Sequence, residues 1–146
     1  AGGIRNGGDV AKAVALGADA VAIGHSALMA LNCNRDTPEA DYEGEMGVKA
    51  GECYHCHTGR CTVGVATQDP ELRKRLDPDL ASERVYNFLH TLAIETQMMA
   101  RACGKTNIHS LEPEDLAALT MEASACAQVP IAGSQHTVGR PDMTRF

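Results

Sequence analysis

The fold is decided by the stretch Leu16-Gly-Ala-Asp-Ala-Val-Ala-Ile-Gly24. Residues 18–23 are mostly small or β-branched, which is typical of a short strand buried on both faces of a parallel sheet. Gly17 is expected to end a helix over residues 9–16, because glycine readily closes a helix, and another helix is predicted to begin at His25. Residues 1–8 resemble the end of an earlier buried strand and its turn. The order strand, helix, strand, helix therefore predicts one βαβ unit of an α/β fold.

A single βαβ unit cannot bury its own sheet, because two strands make no stable parallel core. The neighbouring strands must come either from further parts of a longer chain or from a partner polypeptide. Of these two interpretations, we favour a chain that is one piece of a larger domain.

Composition limits the class of protein. The chain has 146 residues, of which 44% are apolar and only 3% aromatic, with no tryptophan, so the core must consist of small and aliphatic side chains. The net charge of −6 argues against a nucleic-acid groove. No apolar run approaches the roughly 20 residues of a membrane span, and the first residues match no targeting signal. A soluble, cytoplasmic protein is expected.

Four parts are predicted along the chain. Residues 1–33 form the terminal βαβα part, and residues 34–68 form an acidic insertion followed by a cysteine-rich loop. Residues 69–128 form a helical extension, and residues 129–146 form a tail that lies on the surface of a partner.

Three helices are predicted in the helical extension. A short one starts at Pro70 and reaches about residue 76, a long one covers residues 80–103, and the last covers residues 113–127. Met98 and Met99 are interpreted as core-filling side chains. Residues 62–68 are expected to be extended and buried. The apolar stripe of the long helix is predicted to consist of Val85, Leu89, Leu92, Thr96, Met99 and Cys103.

Cysteines cluster in the segment Cys53-Tyr-His-Cys56-His-Thr-Gly-Arg-Cys61, with Cys33 upstream. In a chain without a secretory signal, this clustering indicates metal binding or redox chemistry before disulfides. The spacing leaves three interpretations open: an iron–sulfur cluster, a zinc site with His55 or His57 as nitrogen ligand, and a dithiol for disulfide exchange. The two remaining cysteines, at positions 103 and 126, are expected to be small buried hydrophobic residues.

Glycines stand in both turns that lead from a predicted strand into a helix, Gly2-Gly3 and Gly24. In a parallel α/β array these turns lie at the same edge of the sheet, where exposed backbone N–H groups can bind a phosphate. Arg5 could pair with that phosphate, or it could equally be solvated or paired with an acidic residue. The glycines alone make a phosphate site one of several interpretations.

Taken together, these segments resemble the large subunit of glutamate synthase and its relatives, whose FMN-binding domain is a (β/α)8 barrel. Residues 1–10 are similar to the family's seventh-strand turn, and residues 16–24 to its eighth strand. Ser26-Ala-Leu-Met-Ala-Leu-Asn-Cys33 resembles the helix that delivers the first cluster cysteine. Cys56-His-Thr-Gly-Arg-Cys61 resembles the segment that carries the other two. The resemblance covers residues 1–76 and continues, less closely, to about residue 120.

The resemblance implies a flavin and iron–sulfur oxidoreductase, although this segment alone would be inactive. FMN phosphate contacts are implied at Gly2, Gly3, Ile4, Gly24 and His25, with Arg5 as a further candidate. A 3Fe–4S cluster is implied on Cys33, Cys56 and Cys61. Implied partners are the rest of the barrel, a glutamine amidotransferase-type subunit, and an electron donor that is a ferredoxin or an NAD(P)H reductase subunit. Electrons would pass between FMN and the cluster while 2-iminoglutarate, made from 2-oxoglutarate and ammonia, is reduced to glutamate.

Three departures from the family pattern bear on the cluster. Between the first two cluster cysteines, Cys33 and Cys56, lie 22 residues, a much longer separation than is usual in the family. Cys53 is an additional thiol, which could replace Cys33 or make a four-ligand 4Fe–4S cluster. Thr62 stands where the family usually has proline after the last cysteine. The long acidic insertion makes the chain similar to a divergent branch that makes N-methylglutamate from methylamine and glutamate. The alternative function is a non-catalytic, zinc-stabilised assembly module.

Overall fold

The computed structural model describes residues 2–33 and 53–141. The predicted acidic insertion, up to residue 52, lies outside the described residues. Three short 3₁₀ turns lie at His55–His57, Ile108–Ser110 and Pro113–Asp115. The α-helices are α1 (Gly7–Ala15), α2 (His25–Ala30), α3 (Pro70–Arg73), α4 (Pro78–Ala102) and α5 (Met121–Ala127).

The chain divides into two compact units. The first unit combines Gly3–Ala22 with Thr91–Phe146, and the second consists mainly of Ile23–His90. The long helix α4 contributes its first half to the second unit and its last half to the first. No helix in the described part of the chain is long and apolar enough to span a membrane.

The core of the first unit is built from small side chains. Asn6 is the N-cap of helix α1, and its side chain accepts a hydrogen bond from Asp9 N at 3.0 Å. The buried face of α1 packs on a core of alanine and short aliphatic residues, and these small side chains let the helices approach closely. Its buried members are Ala11, Val14, Ala15, Ala100 and Leu111.

Gly7 marks the closest approach within this unit. A Cβ atom on Gly7 would lie 2.6 Å from Thr96 N and 2.8 Å from Leu92 O, which are both backbone atoms of α4. The same glycine donates its N–H to the Glu95 carboxylate at 2.6 Å. The first turn of α1 therefore rests directly on the backbone of α4.

The predicted βαβ unit is not confirmed. The described residues contain no named strand, and residues 18–24, the predicted second strand, have no regular secondary structure. A strand obtains its hydrogen bonds from a neighbouring strand, and the described residues offer none to this segment. The predicted helix before it is confirmed as α1, although Leu16, expected on its buried face, is 51% exposed.

Helix α4 matches the predicted long helix, but the predicted buried face is only partly right. Leu92 and Thr96 are buried and Val85 is half-buried, as predicted, and Ala81 and Ala100 are buried as well. Leu89, Met99 and Cys103 are exposed instead. The interpretation of Met98 and Met99 as core filling is wrong, because their side chains are 58% and 47% exposed.

The predicted last helix, residues 113–127, is interrupted. A 3₁₀ turn, Pro113–Asp115, ends before a short parallel bridge between Ala118 and Ile131, and α5 starts only at Met121. Ala118 N donates to Pro130 O, and Ala132 N donates to Ala118 O, both at 2.8 Å. This pairing with the tail holds the chain extended where local sequence favours a helix.

Ser124 links the tail to α5 through two hydrogen bonds. Its side chain is fully buried, and its hydroxyl donates to Val129 O at 2.7 Å and accepts from Val138 N at 3.1 Å. Residues 129–138 are therefore an integral part of the first unit. The prediction that the tail lies on a partner surface is not tested by these contacts.

Candidate cysteine site

All four cysteines of the predicted ligand set belong to the second unit. Cys33 follows α2, where Asn32 adopts a left-handed conformation (φ 71°) and Cys33 N donates to Leu28 O at 3.1 Å. This arrangement is a typical helix end, and it turns the chain sharply at Cys33. Cys56 lies in the 3₁₀ turn His55–His57. All six cysteines of the chain are free thiols.

The turn from His55 to Cys61 is held by its own side chains. The Thr58 hydroxyl donates to His55 O at 2.9 Å and accepts from Arg60 N at 3.1 Å. The Thr67 hydroxyl donates to Gly59 O, whose residue adopts a positive φ of 77°. Such hydrogen bonds within a short loop fix its backbone, which a preorganised ligand site requires.

His55 is the most deeply buried residue of this turn. Its side chain is 0% exposed, and Nδ1 lies 3.2 Å from Arg60 O. The buried imidazole therefore lies inside the loop and stabilises its conformation. His57, the other candidate nitrogen ligand, is exposed.

After Cys61 the chain packs closely against α3. Gly64 has a φ of 81°, and a Cβ there would lie 2.5 Å from Leu72 O, so only glycine fits this approach. The Arg75 guanidinium donates to Thr62 O at 2.9 Å. The prediction that residues 62–68 are extended and buried is only partly right. Residues 62–64 and 67 are buried, but residues 65 and 66 are half-buried and residue 68 is exposed, and residues 62–66 form turns and bends.

The four thiols differ in exposure. Cys61 is 3% exposed, Cys33 and Cys53 are half-buried, and Cys56 is exposed. Burial raises the pKa of the Cys33 thiol, and negative charge on Cys56, Cys61 and Cys53 raises it further.

Within residues 2–33 and 53–141, no three His, Cys, Asp or Glu side chains are arranged so that they could hold a metal ion. The ligand set that includes Cys33, Cys53, Cys56 and Cys61 therefore stays a prediction.

Thr62, directly after Cys61, has an unusual hydroxyl. The residue is 3% exposed, and its Oγ1 has no hydrogen-bond partner among the residues that the structure describes. Buried hydroxyls are normally hydrogen-bonded, because an unsatisfied polar atom is costly away from water. Sequence reasoning considered Thr62 only as a replacement for proline, and nothing in the sequence could indicate an unsatisfied hydroxyl.

The candidate phosphate residues are distributed over both units. Gly3 has a φ of 86°, a conformation that favours glycine, and a Cβ at Gly3 or Gly24 would meet nothing within 4 Å. Gly24 precedes α2 without a side-chain cap, and Gly2 and His25 are exposed, whereas Ile4 is half-buried. The Arg5 side chain is 80% exposed, with Nε 3.9 Å from an Asp9 oxygen.

Two family models match the chain. The model described as the conserved region in glutamate synthase matches residues 43–106, and the model described as FMN-dependent dehydrogenase matches residues 1–37. The first covers the cysteine loop and all of α4, and the second covers the glycine turns and Cys33. No solved structure matches the chain.

Several curated proteins are similar to most of the chain. A glutamate synthase large subunit-like protein from Rhizobium meliloti is 55% identical over 95% of the chain, which spans 31% of that protein. An archaeal-type glutamate synthase (NADPH) from Thermotoga neapolitana is 43% identical over 76% of the chain, which spans 18% of it. An archaeal glutamate synthase (NADPH) from Methanocaldococcus jannaschii is 43% identical over 75% of the chain, again 18% of that protein.

The chain thus spans less than a third of each of these relatives. Both family models and these relatives point to one family, and they account for the glycine turns and the cysteine loop together. The chain belongs to the glutamate synthase large-subunit-like family of FMN proteins.

Proposed function

We propose that this chain is the last part of the FMN barrel and the cluster-binding segment of a glutamate-synthase-like oxidoreductase. The observation that carries the proposal is the grouping of four free thiols in one compact unit, two of them, Cys56 and Cys61, on a turn that is held by its own hydrogen bonds. Similarity to named glutamate synthases supports the reaction class. The proposal concerns a larger protein, of which this chain supplies one segment.

In this proposal Cys33, Cys56 and Cys61 hold an iron–sulfur cluster, with Cys53 as a fourth ligand if the cluster is 4Fe–4S. Cys33 belongs to the same compact unit as the other three cysteines, which supports its inclusion despite the long sequence separation. The unpartnered, buried Thr62 hydroxyl fits a bound cluster, because cluster sulfurs accept hydrogen bonds. When bound, the cluster supplies one-electron transfer.

Gly24, directly before α2, is one candidate contact for FMN through its backbone N–H. Gly3, in the other unit, is a separate candidate, with Arg5 as a counter-charge for a phosphate. The open space at both glycines supports close approach of a ligand to the backbone. When bound, the flavin supplies the transfer of electrons to an imine of 2-oxoglutarate, which yields glutamate. The rest of the barrel provides the substrate-binding residues.

The proposal extends to partners and to the nitrogen source. The relatives named as NADPH enzymes support an NAD(P)H-linked reductase as electron donor, and a ferredoxin is the alternative. An amidotransferase-type subunit would supply ammonia. The long separation between Cys33 and Cys56 is our reason to include methylamine as a second candidate, with N-methylglutamate as product. Isotope-labelled ammonia and methylamine, offered separately to the intact protein with 2-oxoglutarate or glutamate, distinguish these two reactions by the labelled product.

Metal analysis of the intact, anaerobically purified protein tests the cluster. We expect iron and acid-labile sulfide in near-equal amounts, and an electron paramagnetic resonance signal in one redox state. One zinc per chain with no sulfide would instead support the zinc-stabilised assembly module. Flavin released on denaturation is the matching test for FMN.

Cysteine-to-serine variants test the ligands. Cys56→Ser and Cys61→Ser should each abolish the cluster, because serine is a poor ligand for it. Cys103→Ser and Cys126→Ser are matched controls, since both are exposed cysteines of the first unit, and they should keep full iron content. If Cys53→Ser abolishes the cluster while Cys33→Ser keeps it, then Cys53 replaces Cys33 in the ligand set.

A further inference from the structure

A cavity of about 530 Å³ lies in the first unit, between α1, the second half of α4 and residues 105–108. Part of its wall is apolar: Leu92 and Ala100 are buried there, and Val10 and Ile108 are half-buried. Small-molecule sites in proteins are typically cavities of this size, mostly apolar and with a few polar groups that orient the ligand. The cavity therefore offers an apolar surface to a small ligand, and its polar groups decide which one.

The end of α4 forms one side of the cavity. Gly104 has a φ of 73°, and the chain turns back there. Gly104 N donates to Arg101 O at 2.9 Å, and Lys105 N donates to Ala100 O at 2.8 Å. Such a helix end satisfies the last carbonyl groups of the helix. The side chains around the opening, more than the helix end, therefore set the charge that the cavity accepts.

The charged side chains that line the cavity are cationic. They are Arg101 and Lys105, and the lining residues that the structure describes include no Asp or Glu, although the net charge of the chain is −6. Lys105 is already paired, with Nζ 3.2 Å from a Glu112 oxygen and 3.6 Å from an Asp115 oxygen. The Arg101 guanidinium has no hydrogen bond or ion pair within the described part of the chain. Arg101 is therefore the cation that is available to a ligand.

Two amide side chains add donors to the lining. Asn107 Oδ1 accepts from His109 N at 3.0 Å, so the amide nitrogen of Asn107 is the group left to donate. Gln97 precedes Arg101 by four residues on α4, which places both on one side of the helix. A guanidinium accompanied by amide donors matches a carboxylate, because both carboxylate oxygens accept hydrogen bonds.

We propose that this cavity binds a small aliphatic carboxylate, with the hydrocarbon chain on the apolar wall and the carboxylate at Arg101. The same lining disfavours an amino acid, because the described part of the wall offers no acidic side chain to an ammonium group, which is costly to desolvate without a partner. The proposal adds a ligand site to the first unit, and it does not depend on a cluster at the cysteines.

NMR titrations of the intact protein with hexanoate, norleucine and hexanamide test the proposal. The three compounds share one carbon chain and differ in charge: norleucine adds an ammonium group, and hexanamide has no charge. We expect hexanoate to bind about tenfold more tightly than either of the others, because a hydrogen bond between charged groups contributes about that factor. Affinity for hexanoate no greater than for norleucine or hexanamide, or no binding of hexanoate, would overturn the proposal.

Two variants locate the bound hexanoate. Arg101→Gln removes the charge and should weaken binding about tenfold, whereas Arg140→Gln changes an exposed arginine of the same unit outside the cavity and should bind as wild type. Ala93→Phe fills the cavity from an exposed position and should abolish binding. Ala102→Phe adds the same bulk to α4 outside the cavity and should have no effect.

Circular dichroism shows whether each variant keeps its helix content. Unchanged hexanoate affinity in a folded Arg101→Gln or Ala93→Phe variant would place the ligand elsewhere and overturn the proposal. If Ala93→Phe fails to fold, the comparison of Arg101→Gln with Arg140→Gln decides alone, since both substitutions are at exposed positions.

Discussion

Replacing Gly7 with alanine should loosen α1 from α4. The new Cβ would lie 2.6 Å from Thr96 N and 2.8 Å from Leu92 O, closer than the 3.0 Å below which real Cβ atoms essentially never come. Both are backbone atoms in the middle of a long helix, so neither can move aside as a flexible side chain would. The clash is relieved only if the first turn of α1 lifts off α4.

The cost follows from two contributions. Overpacking a close helix contact typically costs about 1–3 kcal/mol. Lifting the turn also breaks the hydrogen bond from Gly7 N–H to the Glu95 carboxylate, now 2.6 Å long and partly buried, and losing such a bond costs about 1–3 kcal/mol. Against this, alanine favours a helix by at most about 1 kcal/mol relative to glycine. We expect a net loss of about 3 kcal/mol for local opening of α1.

Gly8→Ala is the matched control. Gly8 is the next residue of the same helix, and its Cβ would meet only the end of the Asn6 side chain, at 3.2 Å. In Gly8→Ala the free energy of local opening of α1 should stay within about 1 kcal/mol of the wild-type value.

Hydrogen–deuterium exchange of peptides from α1, measured by mass spectrometry on the intact protein, gives the local opening free energy. A loss of about 3 kcal/mol corresponds to exchange more than about a hundredfold faster in Gly7→Ala. Equal exchange in the two variants would refute the close approach of α1 to α4.

Three further predictions concern other parts of the chain. Ser124→Ala should cost about 1–3 kcal/mol, because it removes the partner of the buried Val129 carbonyl and of the half-buried Val138 N–H. Ser134→Ala, at an exposed position, should cost under about 0.5 kcal/mol, and hydrogen-exchange rates in residues 129–138 measure both variants. Asp69 caps α3, and hydrogen bonds from the backbone lower its pKa below the ordinary 3.8. The contribution of the Asp69 carboxylate to stability is therefore present above pH 3.8 and is lost as the pH falls through the lower folded pKa. The urea midpoints of wild type and Asp69→Ala should therefore differ at neutral pH and converge well below pH 3.8. A pH-independent difference would contradict that assignment. Gly24→Ala meets no atom within 4 Å and should leave helix content unchanged, yet it should lower flavin retention in the intact protein if FMN approaches this backbone; unchanged flavin content would argue against Gly24 as a phosphate contact.

Local features of the sequence determined several helices and their ends. Asp69 caps α3 through its side chain, and Gly17 follows the end of α1, so these boundaries depend on residues only a few positions apart. The start of α1 was predicted at residue 9, but the helix starts at Gly7, because Asn6 supplies the N-cap. The clustering of cysteines between positions 53 and 61 identified the candidate site without any fold. The order of glycine turns and cysteines identified the family.

The buried face of α4 was decided by tertiary structure. Apolar side chains lie on more than one side of this helix, so periodicity alone could not separate Leu92, which is buried, from Leu89, which is 46% exposed. Docking of α1 at Gly7 selects the side that carries Thr96 and Ala100. The break before α5 has a similar cause, since the tail pairs with Ala118 and overrides local helix propensity.

The cysteine site shows the same division. The residue types and their spacing were present in the sequence, but three interpretations of them stayed open because ligand geometry is not a local property. Only the fold places Cys33 in the same compact unit as the other three cysteines, since closing a long loop costs only modest entropy and leaves no sequence signal. Only the fold, likewise, buries the Thr62 hydroxyl with no partner in the described part of the chain, because burial and missing partners depend on residues that are distant in sequence.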